Sequence, residues 1–336
     1  MKHHLPEGYT LRSATPDDVP AVFELWNSRS LWARNKAPYG EADVLNRWNR
    51  PEFNLETDSL LVFSPVSMLV GYAHILDVKN PPVDVFSGYS VHPEHDEQTW
   101  LWKALFEWIE AEARRVIPKA PADARIALIA GARDDDSSEK TRLEESGFEY
   151  SRTFHRMTVE FGDPPAVPET PDGIRIRPFI PGNDDEAIAH AYRDAFRDHY
   201  GHLEQPFETD LAKWRHWMAD EDFDPNLWFL AIDATAGGEV AGYSCCYPAD
   251  VGDDPLGQID EIGVRRAWRR QGIGRALLTH SLRTLQDRGC KGANLRVDSD
   301  NKNQALALYE SAGMHVVSSS HTYVKELRPG VNLVAQ

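Results

Sequence analysis

Ile259-Asp-Glu-Ile-Gly-Val-Arg-Arg-Ala-Trp-Arg-Arg-Gln-Gly-Ile-Gly-Arg-Ala-Leu-Leu278 decides how this chain is read. It spells a strand ending at Val264, a tight basic turn with two glycines, and the opening of an amphipathic helix. Gly272 and Gly274 let a bound group approach the backbone where the first N–H groups of a helix have no intrahelical partner. The positive end of the helix dipole points the same way, so the turn is a prepared anion site. Arg269, Arg270 and Arg275 add charge that pairs with a phosphate, with Gln271 and Ile273 completing the loop.

The spacing Arg269-x-x-Gly272-x-Gly274 excludes a Walker loop, because no Gly-Lys-Ser/Thr comes after the glycines. It also lacks the third glycine and the downstream acidic residue of a dinucleotide fingerprint. Further along the chain lies a second cluster: Val297-Asp-Ser-Asp-Asn301, then Ala305-Leu-Ala-Leu-Tyr309 and Gly313-Met314. In this order the residues resemble the GNAT superfamily of acetyl-CoA-dependent N-acyltransferases. Its pattern is a strand, Arg/Gln-x-x-Gly-x-Gly/Ala, a second strand, an Asn, Ala-x-x-Leu-Tyr and Gly-Phe. Met314 stands in place of the Phe, and Asn301 lies four residues before Ala305 where many relatives have three. The two-domain bacterial members, among them the mycothiol synthases, are the most similar in organisation.

The length of 336 residues suits two domains, each able to bury its own core. A formal charge of −17 speaks against a nucleic-acid or anionic-membrane surface, either of which needs a basic face. Cys245, Cys246 and Cys290 form neither a disulfide framework nor a metal spacing, so no metal is expected. The adjacent pair sits in an apolar run and reads as small core residues. His3 and His4 are too short a tract for a metal site. With no apolar leader and no membrane-length run, the expected location is the cytoplasm.

Along the chain, a strand near Tyr9, a helix capped by Thr15-Pro16, two strands around Leu60 and Met68, a strand at Phe86–Val91 and a helix at Thr99–Arg115 lead to a strand at Arg125 and a short helix at Glu139–Ser146. Four prolines in residues 162–173 mark a semi-rigid linker. The pattern then restarts: a strand at Ile174, helices at Asp184–Tyr200 and Thr209–Ala219, strands at Trp228 and Val240, the opening stretch, and a helix at Asn303–Ser311 before a closing hairpin to Leu327. The expected architecture is α/β (α+β): two tandem GNAT-fold domains, each a mixed, mostly antiparallel sheet flanked by helices. Their expected bounds are 1–161 and 174–336.

The halves repeat. Aligning Val91 with Val264 sets Thr99 and Leu101 where Gly272 and Gly274 stand, with Asp96 opposite Arg269, and aligning Gly147 with Gly313 sets Leu143 opposite Tyr309. Thr99-Trp100-Leu101 would crowd a pyrophosphate and Asp96 would repel it. The N-terminal half therefore reads as a degenerate copy without cofactor, one that completes the acceptor cleft or replaces a dimer partner, which makes a monomer workable.

The resemblance implies roles for residues of the second half. Ile262, Gly263 and Val264 would offer backbone groups to the pantetheine arm from a strand that splays from its neighbour, and Asn301 would contact the same arm. Tyr309 stands where many members place the acid beside the departing thiolate; a phenol is protonated at neutral pH. Its rival reading is an aromatic packing residue. Glu261 is the candidate general base; Asp260 points to the opposite face of a regular strand, unless a bulge intervenes. Asp298 and Asp300 read as turn and cap residues. His199 and Tyr200 fall where members line the acceptor pocket, and Arg265 and Arg266 either reach the adenosine 3′-phosphate or lie solvated. The implied reaction is acetyl transfer from acetyl-CoA to a primary amine of a small molecule by direct attack. A non-catalytic acyl-CoA sensor is the alternative of another class, and a mycothiol-synthase-type enzyme the alternative within it.

Overall fold

The computed structural model describes residues 5–34, 39–50, 52–162, 170–220, 222–247, 255–301 and 305–335. His3, His4 and most of the linker, 163–169, lie outside the described residues. The chain divides into two compact units. One holds the chain up to Ser151 together with His321–Leu333; the other holds Arg152–Ser320 and Val334 onward.

The first unit contains β1 (Thr10–Arg12), α1 (Val19–Arg34), α2 (Glu41–Trp48), the single turn α3 (Leu55–Asp58), β2 (Ser59–Phe63), β3 (Leu69–Leu76), β4 (Asp84–Val91), α4 (Thr99–Ala113), β5 (Ile126–Arg133), α5 (Ser137–Glu145) and the start of β6 (Glu149–Glu160). The strands β1 to β4 pair antiparallel in sequence order, and β4 pairs parallel with β5. One core lies under α4, with Leu101, Leu105 and Ile109 against Val62, Val91 and Leu128. A second gathers Val22, Leu25, Val44 and Trp48 over Leu61 and Tyr72.

The second unit repeats the plan with β7 (Ile174–Pro178), α6 (Asp185–Phe196), α7 (Phe207–Trp217), β8 (Trp228–Asp233), β9 (Glu239–Tyr247), β10 (Leu256–Val264), α8 (Ile273–Asp287), β11 (Gly292–Asp298), α9 (Ala305–Glu310) and the start of β12 (His315–Arg328). Here β7 to β10 are antiparallel neighbours, β10 pairs parallel with β11, and β11 pairs antiparallel with β6. α8 buries Ile273, Leu277, Leu278, Leu282 and Leu285 on one side of the sheet, a stripe at helical spacing. α6 and α7 cover the other side through Ile188, Leu211 and Trp214, against Trp228, Tyr243 and Cys245. Cys245, Cys246 and Cys290 are all buried, and burial raises the thiol pKa of the adjacent pair.

Two features differ from the sequence reading. The expected closing hairpin is one strand, β12: the run Val316-Val-Ser-Ser-Ser-His-Thr-Tyr-Val has no Gly, Pro or Asn to turn it, so the backbone stays extended. That strand changes unit at Ser320, as β6 does at Ser151. In the first unit residues 321–328 lie beside β5, held by Arg125–Glu326 at 3.1 Å and Lys325–Glu110 at 2.5 Å. In the second unit residues 154–160 run beside β11. The compact units are therefore not the contiguous 1–161 and 174–336.

Candidate active site

The parallel β10–β11 pairing ends at Ile259↔Leu295, whereas β10 stays paired with β9 as far as Val264↔Gly242. The β11-side edge of Ile262 and Gly263 is thereby released from the ladder, the splay expected of this strand. Gly263 is required sterically: a Cβ there would stand 2.8 Å from the Tyr243 ring, 3.1 Å from Ala195 Cβ and 3.2 Å from the Phe196 ring. Its absence lets β10 lie against the end of α6. The Val264 carbonyl accepts from Arg269 Nε at 3.3 Å.

Around this splay is a cavity of about 930 Å³, contained in the second unit. Ile262, Gly263, Val264, Arg269, Arg270, Gly272, Gly274, Arg275 and Asn301 line it, with Glu261, Tyr309, His199 and Tyr200. Two of the expected loop residues do not: Ile273 is 1% exposed and packs under α8, and Gln271 turns back to donate to the Ala267 carbonyl at 3.1 Å. Any part they take in binding is through the backbone.

Gly272 is the N-cap of α8 and has φ 85°, a left-handed conformation that favours glycine. The first helical donor with a carbonyl partner is Ala276 N–H, bonded to the Gly272 carbonyl at 3.0 Å. Ile273, Gly274 and Arg275 thus begin the helix with N–H groups at its open end. A Cβ at Gly274 would meet only ordinary contacts, Leu308 at 3.4 Å and Val264 at 3.6 Å, so protein packing does not demand glycine there. A small residue there leaves room for a ligand close to the backbone. The donor set therefore fits a pyrophosphate. Among the arginines, Arg269 also donates to the Ala195 carbonyl at 2.8 Å, and Arg275 to Ser311 Oγ at 2.9 Å. Arg265 and Arg266 are engaged elsewhere: Arg265 with Glu239 at 3.0 Å and over the Trp268 ring at 4.6 Å, Arg266 with Asp198.

The two carboxylates depend on one irregularity. On β10, Ile259 pairs with Cys246 but Glu261 pairs with Cys245, so Asp260 is an inserted residue. This bulge overturns the regular-strand parity. Ile259 and Cys246 face α8, whereas Glu261 shares its face with Cys245 and Tyr243, beneath α6 and α7. Asp260 lines the same cavity, its Oδ1 accepting from Gln258 Nε2 at 2.9 Å. Burial pushes the Glu261 carboxyl up to about 7; Lys213 and the Tyr243 hydroxyl, which donates to Glu261 Oε2 at 2.9 Å, oppose the shift, and Asp260 adds to it. The Asp260 pKa is also raised by burial. A carboxyl poised near neutrality is matched to general-base work.

Tyr309 is 6% exposed, packs in the α8-side core and lines the cavity. Burial raises its pKa, which keeps the phenol protonated. His199 Nδ1 lies 3.2 Å from the Tyr200 carbonyl, with its ring 5.1 Å from that of Phe196. The Arg152 guanidinium lies over the Tyr200 ring at 4.4 Å and pairs with Asp298 at 3.1 Å. Sequence reading missed Arg152, Phe154 and Arg296 of the wall and Tyr243 behind Glu261. The first two come from a strand the contiguous half-chain does not contain. The alternation in Leu295-Arg-Val297 was the available signal for Arg296.

The first unit is built differently at the matching place. Its N-cap equivalent to Gly272 is Gln98, one residue before Thr99, at φ −82°. Leu101 does not crowd an anion site; it points into the core, fully buried. Asp96, 6% exposed, pairs with Arg29 at 2.5 Å and Arg142 at 3.0 Å, so this unit's own carboxylate saturates the cations beside the helix start.

A family model described as "Acetyltransferase (GNAT) family" matches residues 186–314. The chain is 31% identical over 270 residues to a mycothiol acetyltransferase of Streptomyces scabiei, covering 79% of each protein. It is 30% identical over 279 residues to one of Saccharomonospora viridis, covering 79% of this chain and 83% of that one. Among solved structures, a GCN5-related N-acetyltransferase from Sphaerobacter thermophilus superposes with a TM-score of 0.81 at 29% identity, over 99% of this chain and 100% of that one. A tandem GNAT protein from the clavulanic acid biosynthesis pathway shares the fold, with a TM-score of 0.70 at 16% identity over 96% and 100%. The chain therefore belongs to the GNAT acetyltransferases, as a tandem-domain acyltransferase of mycothiol-synthase-like architecture whose cosubstrate is acetyl-CoA.

Proposed function

We propose that the second unit moves the acetyl group of acetyl-CoA to a primary amine of a small molecule by direct attack, and that the first unit binds no cofactor. The observation that carries this reading is Glu261: the Asp260 bulge turns it into the splayed-strand cavity with its pKa at about 7. In the proposed step Glu261 takes the ammonium proton, the amine nitrogen bonds to the acetyl carbon, and the carbon–sulfur bond breaks. Tyr309 donates its hydroxyl hydrogen to the departing sulfur, and the second proton of the attacking nitrogen returns to the tyrosine, which leaves a neutral amide, the thiol of CoA and a protonated Glu261. The three cysteines are buried with no activating partner among the described residues, which supports transfer without an acyl-enzyme. The relatives named mycothiol acetyltransferase put a mycothiol-type acceptor among those to try. For the first unit, the Arg29–Asp96–Arg142 cluster and the absence of a left-handed glycine at Gln98 support the degenerate reading.

The test is acetyl-CoA-dependent thiol release across a panel of amines, repeated with Tyr309→Phe. The expected loss in kcat is about 10²- to 10⁴-fold with acetyl-CoA affinity kept. Full turnover by Tyr309→Phe refutes the acid role. Binding of acetyl-CoA without thiol release from any amine favours a sensor.

A further inference from the structure

Glu261 is held by a neighbour that the transfer step leaves unused. On β9, Tyr243 is the register partner of Gly263 and Cys245 that of Glu261, so Tyr243 stands diagonally across from the carboxylate on one face of the sheet. Diagonal neighbours in an antiparallel pair are about 7–8 Å apart, within reach of an aromatic side chain laid across the adjoining strand. Gly263 opens that path. A Cβ on it would stand 2.8 Å from the Tyr243 ring, so the ring occupies the space a side chain would need. The hydroxyl then arrives 2.9 Å from Glu261 Oε2 and donates to it.

The ring has little room to move. Tyr243 is fully buried, with Trp214 of α7 edge-on at 5.6 Å. Burial pushes its phenol well above the ordinary value, with the Glu261 charge adding to the shift, so it stays a donor at working pH. The other groups facing Glu261 act on it without a hydrogen bond. Asp260 on its own strand raises its pKa, and Lys213 of α7, over the Trp217 ring at 4.3 Å, lowers it through space. Tyr192 of α6 and Cys245 and Tyr247 of β9 are kept neutral, chiefly by burial. Among the described residues, the side chain that hydrogen-bonds Glu261 is Tyr243. Tyr243 does not line the cavity, so whatever it does for the reaction it does through Glu261.

We propose that Tyr243, laid across Gly263, is a positioning residue for acetyl transfer: it holds Glu261 Oε2 and leaves Oε1 to take the proton of the amine. This assignment rests on the reading of Glu261 as the base. A glutamate side chain has three rotatable bonds, and one bond from a ring that cannot turn away selects among its rotamers. Gly263 thereby serves the base as well as the released strand edge.

Tyr243→Phe keeps the ring and removes the donor. In amine-dependent thiol release its kcat should fall about tenfold while KM for acetyl-CoA stays within about twofold. The ionisation in kcat/KM should move up by about one pH unit, since the lost hydrogen bond favoured the charged carboxylate. A fluorinated tyrosine in place of Tyr243, a stronger donor of nearly the same shape, should move it down. In a Glu261→Gln background, Tyr243→Phe should cost no more than about twofold, because no carboxylate is left to position. An ionisation unmoved by both replacements, or an equal loss with and without Glu261, makes Tyr243 a packing residue; either overturns the proposal and leaves acetyl transfer standing. Full turnover by Glu261→Gln removes the base, and the proposal with it. Melting reads the same carboxyl without turnover: the fall in melting temperature with rising pH should continue to higher pH in Tyr243→Phe than in wild type. Coincident end points overturn the proposal. No thiol release from any amine by the wild type refutes the transfer reading, and displaced end points would then keep the Tyr243–Glu261 restraint itself.

Discussion

Glu261→Gln should make the enzyme slower and, above neutral pH, more stable. Glutamine keeps the shape and can still accept from Tyr243, whose hydroxyl donates to Glu261 Oε2 at 2.9 Å, but it cannot take a proton. Removal of a general base costs about 10²- to 10⁴-fold in kcat. The stability effect arises from the carboxyl's displacement from 4.5 to about 7. Between those values the unfolded chain has lost the proton and the folded chain keeps it, so stability falls as pH rises, by about 1.4 kcal/mol per unit. Over 2.5 units that is about 3 kcal/mol, the cost of a charged carboxylate beneath α6 and α7. Below pH 4.5 both states hold the proton and the penalty vanishes; above about 7 it is fully present. The variant, which bears no charge, escapes it. Melting temperatures of wild type and Glu261→Gln should therefore coincide near pH 4.5 and separate by several degrees, about 6–12 °C, at pH 8, with the variant higher. In kcat/KM the wild type should gain an ionisation near 7 that the variant lacks, with no fall from Tyr309 at alkaline pH, since burial raises its pKa above the ordinary phenol value. Parallel melting curves across this range, or full turnover by the variant, would refute the assignment of Glu261 as a desolvated base.

Gly274→Ala, whose Cβ meets only ordinary contacts, should leave the melting temperature within about 1–2 °C of wild type, and the bulkier Gly274→Leu should abolish the thermal shift from acetyl-CoA. A retained shift would move the pyrophosphate away from this turn. Titration calorimetry should find one acetyl-CoA per chain; two would show that the first unit binds cofactor. Asp96→Ala should destabilise the first unit by about 1.5–3 kcal/mol, since half-buried Arg142 would lose its anion and Arg29 would keep only Asp136 at 3.0 Å; a loss under about 1 kcal/mol in denaturant melts would contradict that role.

What could be read in the sequence was local. A left-handed turn needs glycine, so Gly272 was visible, and an amphipathic stripe predicts its own buried face, so α8 was visible from Ile273 to Leu285. These constraints act within a few residues, and the family pattern is composed of them. The repeat of strand and helix signals likewise exposed the tandem plan and the loss of both glycines from the first half. Ile273 and Gln271 show the limit even there: the spacing located the loop, and packing decided which of its side chains face the cavity.

The remainder depended on which strand lies beside which, a non-local matter that local propensity does not encode. One inserted residue at Asp260 carries Glu261 from the α8 face to the α6–α7 face, where burial raises its pKa. Nothing in Ile259-Asp-Glu-Ile announces it, because a bulge is defined by the partner strand. The exchange of residues 154–160 and 321–328 between units arises in the same way, from β6 and β12 continuing past the ends of their own halves. Arg156 and Arg296, 140 positions apart in the chain, become neighbours only because the β6–β11 register sets them opposite each other. The sequence by itself determined the cofactor, the glycine turn that opens α8 and the number of units. The tertiary structure decided which face of the sheet Glu261 takes and how its pKa is displaced, because charge is tuned by neighbours that pairing brings together.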